Sequence, residues 1–306
     1  MQRAFITGAS GQVGRALVEA CRARGIEALG MDRSNLDVTD ADAVRRAIEA
    51  ARPDCVFHCA AATKVDRCET EVAWAEALNA EAPRYVAQAA ASVSALLLHY
   101  STDFVFDGRL GRAYVETDQV QPLSVYGATK LRGEHAVEAA GLDAWLVVRT
   151  QWVYGPAGRC FPAAILERAR SGQPLRVVDD QRGAPTTSLD LADASLDLAL
   201  AVSSGKAPNG YYHAAARGEA TWYDFARAVL DATGLQETGI ARTSSEELGL
   251  PAARPAHSTL DCRKLETVLG RAMPTWQEGL ERWLRAEQLA ADQVAAGAQR
   301  RNGQLG

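Results

Sequence analysis

The chain opens with a short apolar run, 4–7, that leads directly into Thr7-Gly8-Ala9-Ser10-Gly11-Gln12-Val13-Gly14, and a helical pattern begins inside that turn. A strand, a glycine turn and a helix in immediate succession are the start of a βαβ unit. Glycine there permits the tight turn and lets a pyrophosphate approach the helix N-terminus. Gly8, Ser10, Gly11, Gln12, Val13 and Gly14 are therefore predicted to cradle a dinucleotide.

The alternation continues. Runs at 27–32, 55–59, 95–101 and 144–150 read as strands, and helical periodicity marks 12–24, 41–51, 72–92 and 124–140. Units of this kind predict an α/β fold, a Rossmann-type doubly wound parallel sheet with ligands beyond the carboxyl ends of its strands. After Thr150 the regularity fades. Helices at 161–171, 189–202, 221–233 and 275–289, with strands at 175–178 and 211–214, predict a smaller mixed lobe. The expected organisation is a cofactor domain at 1–150, a mainly substrate-binding lobe at 151–289 from which later segments return to the first unit, and a flexible tail at 290–306.

Composition narrows the function classes. With 306 residues, 47% of them apolar, and a net charge of −5, the chain has ample core and no general attraction to nucleic acid or to an anionic membrane surface. Its six cysteines show neither Cys-x-x-Cys pairing nor His at metal-ligand spacing, so structural thiols and no metal are expected. No apolar run is long enough to span a bilayer and no leader pattern opens the chain, which predicts a cytoplasmic protein.

Candidate site residues fall at the strand ends. Asp32 closes the second strand, where a carboxylate can accept from the adenosine ribose hydroxyls and favours NAD; Arg33 beside it can accommodate the 2′-phosphate of NADP, so both cofactors stay open. Asp37-Val38 can lie against the adenine, and Asp37 fits a loop role equally well. Ala60, Ala61, Ala62 and Thr63 leave room for a cofactor ribose at the end of the third strand. The fourth ends in Tyr100-Ser101-Thr102-Asp103, and Tyr126 and Lys130 stand four apart on the next long helix, hence on one face. A cation beside a phenol lowers its pKa from roughly 10 and makes it a usable general acid, while the Thr102 hydroxyl can donate to a substrate carbonyl oxygen. Trp222, Trp276 and Trp283 read as core, and His99 and His213 as packed and hydrogen-bonded.

These residues, with Ala60-Ala61-Ala62-Thr63-x-Val65-Asp66, Thr102-Asp103-Phe104-Val105-Phe106-Asp107-Gly108, Tyr126-Gly127-x-x-Lys130-Leu131-x-Gly133-Glu134, Trp152-Val153-Tyr154-Gly155 and Arg254-Pro255-x-x-Ser258, resemble the extended short-chain dehydrogenase/reductases and, among them, the dTDP-4-dehydrorhamnose reductases. The resemblance implies a catalytic set of Thr102, Tyr126 and Lys130, with Tyr126 protonating a C4 carbonyl oxygen of dTDP-4-dehydro-L-rhamnose and Lys130 holding the nicotinamide ribose. It implies a nucleotide-sugar pocket at Thr63, Val65, Asp103, Phe104 and Trp152, NADPH as usual donor with NADH often accepted, and a homodimer. Arg254 is the residue expected to grip the diphosphate, by bidentate geometry.

Departures from the family pattern occur at Gln151, commonly Ser, at Arg182, often aromatic, and at His58, frequently Asn. Arg15 stands where an acidic residue would be expected for a cation between subunits. Gln151 and Arg182 leave another dTDP-4-keto-6-deoxyhexose open as substrate. A non-catalytic dinucleotide-binding subunit, such as the regulatory subunit of methionine adenosyltransferase, is the rival from another class. An epimerase/reductase resembling GDP-fucose synthase needs an added Cys and His, and the matching region here reads Thr102-Asp103-Phe104.

Overall fold

The computed structural model describes residues 1–156 and 158–303, with side chains described to residue 290. Six parallel strands form the central sheet: β1 (Arg3–Thr7), β2 (Glu27–Met31), β3 (Cys55–His58), β4 (Leu96–Thr102), β5 (Trp145–Thr150) and β6 (Gly210–His213). Their spatial order is β6-β5-β4-β3-β1-β2. All seven residues of β4 are buried, as a central strand covered on both faces requires. One face packs Ile6, Phe57, Leu98 and Val148 against helices Gln12–Ala23 and Ser188–Ser203. The other packs Phe5, Val56, Leu97 and Val147 against helices Ala41–Ala51, Ala82–Ser92 and Val125–Glu138.

The chain runs from β2 back across β1 to β3, so the strand order reverses between β1 and β3. Their carboxyl ends diverge there and open the crevice in which doubly wound sheets bind ligands.

The smaller lobe has its own core, with Phe225, Trp276, Leu280 and Trp283 at its centre. Strand Leu175–Val178 pairs in parallel with Ile240–Thr243, and Thr221 caps helix Trp222–Ala232 through a capping box with Asp224. The segments that return to the sheet include the Ser188–Ser203 helix, β6, which pairs with β5, and helix Arg263–Leu269, which packs on both. Residues 290–303, predicted as tail, continue the helix Trp276–Gly303; residues 304–306 lie outside the described residues.

Candidate active site

A cavity of about 1690 Å³ runs along the carboxyl edge of the sheet and on under the smaller lobe. Its first wall is the glycine turn. Gly8 has φ of 65°, and a Cβ on it would lie 2.8 Å from the Ala60 amide nitrogen, so only glycine lets the β1 and β3 turns approach this closely. Ser10, Gly11, Gln12, Val13 and Gly14 line the cavity at the amino end of the Gln12–Ala23 helix, whose first amide groups have no intrahelical partner. The cradle fits a dinucleotide pyrophosphate.

Asp32, Arg33, Asp37 and Val38 line the same end. Each carboxylate closes its own turn. Asp32 accepts from Ser34 at 2.6 and 2.9 Å, Asp37 from Thr39 at 2.7 and 2.9 Å, and these bonds hold both below the usual carboxylate range.

Ala60, Ala61 and Thr63 face the cavity, with Val65 beyond them; Ala62 does not line it. Its peptide is instead clamped by buried Asn79, which accepts from Ala62 N at 2.8 Å and donates to Ala62 O at 3.1 Å. Asn79 sits in a π-helical turn, Ala77–Glu81, inside an otherwise α-helical stretch. Pro83 lacks the N–H that would have met the Asn79 carbonyl four residues back, which accounts for the widened turn. Asn79 escaped sequence reading because its partners lie 17 and 50 residues away, the second being Thr129.

On the opposite wall stand Thr102, Asp103, Phe104, Tyr126 and Lys130. The register places Thr102 beside Thr150 at the ends of β4 and β5. Ser124 caps the Val125–Glu138 helix, setting Tyr126 in its first turn, and Phe104 meets the Tyr126 ring edge-on at 5.4 Å. Burial pushes the Tyr126 phenol above its ordinary range, opposed by the Thr102 hydroxyl. The lowering by Lys130 expected from the spacing is therefore not what governs this phenol. The Lys130 ammonium instead donates to Tyr100 O at 2.5 Å and lies 3.3 Å from His99 Nε2.

The Thr102 hydroxyl donates to Asp103 Oδ1 at 3.0 Å, and Ser258 donates to Asp103 Oδ2 at 2.5 Å. Burial raises the Asp103 carboxyl to about 6 against these bonds. Ser258 thereby ties the C-terminal loop to the end of β4.

Burial also lowers Lys130 to about 8, with Glu134 opposing. The neighbouring imidazoles stay neutral: burial and the Lys130 charge lower His58 to about 3 and take His99 well below its ordinary value. One turn along, buried Glu134 takes a bidentate pair of bonds from Arg149, at 2.7 and 3.0 Å, and one from Ser101. This network binds the Val125–Glu138 helix to β4 and β5.

The far wall belongs to the smaller lobe. Trp152 has φ of 47° and stacks on Trp222 with centroids 3.8 Å apart. A Cβ on Gly183 would lie 2.6 Å from the Trp152 ring, so glycine is needed beneath it. Trp222, predicted as core, packs against the smaller lobe's core and also forms cavity wall, whereas Trp276 and Trp283 are buried as expected. Arg254 lines the cavity while holding Asp66 at 2.9 Å and Ala252 O at 2.8 Å.

A doubly wound sheet, a glycine cradle at its switch point and a Tyr-Lys pair at the same edge define an NAD(P)-dependent oxidoreductase of the short-chain dehydrogenase/reductase class. Residues 2–289 match the family described as the RmlD substrate binding domain. A dTDP-4-dehydrorhamnose reductase of Streptomyces griseus is 41% identical over 278 residues, 91% of each chain. The crystal structure of a dTDP-4-dehydrorhamnose reductase from Clostridium acetobutylicum aligns with a TM-score of 0.88 at 35% identity, covering 94% of this chain and 99% of that one. That of a dTDP-4-dehydrorhamnose reductase from Bacillus anthracis, in complex with NADP, gives 0.87 at 34% identity, covering 92% and 98%. The chain belongs to the dTDP-4-dehydrorhamnose reductase family.

Proposed function

We propose that this protein reduces the C4 ketone of dTDP-4-dehydro-L-rhamnose to dTDP-L-rhamnose, with NADPH as donor and NADH accepted. The observation that carries the proposal is the Tyr126 phenol, half-buried and beside the Thr102 hydroxyl in the cavity that the glycine cradle opens. Family membership names the substrate class. No described helix is long and apolar enough to cross a membrane, and a cytoplasmic site of action on a nucleotide sugar is part of the proposal.

The bound dihydronicotinamide would supply a hydride to the ketone carbon. Tyr126 Oη gives its proton to the C4 oxygen, and burial favours this reaction by keeping the phenol protonated until the oxygen becomes basic. Thr102 exchanges its bond to Asp103 for one to the same oxygen, steadying the charge that develops there. Lys130 holds the ribose by its ammonium, and its charge favours the phenolate that Tyr126 becomes after the transfer. Gly8, Gly11 and Gly14 admit the pyrophosphate; Asp32, Arg33, Asp37 and Val38 bound the adenosine end. Thr63, Val65, Asp103, Phe104, Trp152 and Arg254 enclose the nucleotide sugar.

The test follows NADPH absorbance with dTDP-4-dehydro-L-rhamnose generated in situ. Wild type is expected to turn over, and Tyr126→Phe to bind NADPH normally yet lose ~10²–10⁴-fold in kcat, the usual worth of a general acid. A folded wild type that binds NADPH and leaves this substrate untouched would overturn the assignment.

A further inference from the structure

Among the described residues, two successive polar side chains at and just past the end of β5 have no hydrogen-bond partner. Gln151 is 2% exposed and lines the cavity, yet neither its carboxamide nitrogen nor its oxygen meets a hydrogen-bonding group among the described residues. The hydroxyl of Thr150, also buried and lining the cavity, is unpaired in the same way. A carboxamide carries two N–H donors and an oxygen with two lone pairs, and burying them unmet costs the free protein their desolvation. An apolar side chain of the same length would fill the volume without that cost.

The frame around this pair is rigid. Arg149, which precedes it, is locked to Glu134, and Trp152, which follows, is fixed by its stack on Trp222. Thr150 is the register partner of Thr102, so Gln151 begins one residue past the point where the reacting carbonyl is to sit. Buried polar groups held in place and left open towards a cavity are suited to a ligand group of matching polarity.

We infer that Gln151, assisted by Thr150, recognises a ligand group at the reacting end of the cavity that both donates and accepts hydrogen bonds. Two sources have this chemistry: a ring hydroxyl of the hexose and the carboxamide of the nicotinamide. The inference rests on the proposed reading of the cavity as the site of the dinucleotide and the nucleotide sugar.

Gln151→Met keeps the length and removes the polar atoms, and Gln151→Leu serves as a second variant. Thermal unfolding of the ligand-free protein is measured first, then titration calorimetry with NADPH, with dTDP and with dTDP-L-rhamnose. The ligand-free midpoint is expected to stay level or rise, because unmet polar groups have been removed. Binding of dTDP should be unchanged, and either dTDP-L-rhamnose or NADPH should bind about tenfold more weakly, the usual order for a lost buried hydrogen bond. Loss on dTDP-L-rhamnose assigns a hexose hydroxyl; loss on NADPH assigns the carboxamide. A variant that binds all three as wild type does overturns the inference alone. Wild type that binds neither NADPH nor dTDP-L-rhamnose overturns the functional reading and the inference with it.

Discussion

Burial acts on the two central ionisable groups in opposite senses. It holds Tyr126 protonated and pushes the Lys130 ammonium down to about 8. The groups facing Lys130 are His58 and His99, both kept neutral, Cys59, whose thiol burial pushes up, and Glu134, already engaged by Arg149. Lys130 is charged below its own pKa and neutral above it, so activity should be level up to that value and fall as pH rises through it. The Tyr126 phenol titrates higher and does not set this limb. A profile of kcat/KM against pH is expected to show an alkaline limb near pH 8; a profile flat to pH 10 would show that Lys130 keeps its proton or that its charge is not used. The four-residue spacing made the pair itself legible. The direction in which the phenol shifts was not, because it depends on how deeply the folded chain covers Tyr126 and on the Tyr100 carbonyl that takes the ammonium.

Among the elements, the six strands of the central sheet and their order of appearance were readable because each is a short apolar run bounded by turns, whereas Ile240–Thr243, with two of its four residues exposed, was not. The interior of the 72–92 stretch was not, since a π turn leaves no periodic mark and Asn79 acts on partners remote in sequence. That residue sets the shape of the cavity wall at Ala60–Thr63. Asn79→Leu strips partners from the buried N–H and C=O of Ala62 at once, and the expected loss of stability is on the order of 2 kcal/mol or more. Urea unfolding checks this, with an NADPH titration expected to weaken alongside it as the Ala60–Ala61 turn relaxes. Unchanged stability and unchanged NADPH affinity would show that the clamp contributes nothing.

Across the whole molecule, one cavity is built by segments from both halves of the chain. Ser258 reaches Asp103 across 155 residues and Arg254 reaches Asp66 across 188, so the loop after Leu250 closes that end of the cavity only when both halves are folded. The family resemblance marks Trp152 and Asp103 as candidates, and the guanidinium geometry marks Arg254. They could not show that Trp222, packed against the smaller lobe's core, also stacks on Trp152, or that Gly183 is small to admit that ring, because stacking across the lobe has no signature in either segment. The placement of β6 beside β5 is a tertiary choice of the same kind.

We propose that this cavity brings the C4 carbonyl of a dTDP-4-keto sugar to a nicotinamide donor with Tyr126 as the acid. Reduction of dTDP-4-dehydro-L-rhamnose with NADPH deuterated at the transferable position of its nicotinamide, followed by NMR of the purified product, tests that claim at the atom concerned. A single deuterium on C4 of dTDP-L-rhamnose is expected, with none on C3 or C5. Label at either of those carbons, or NADPH oxidised without label in the sugar, would contradict it.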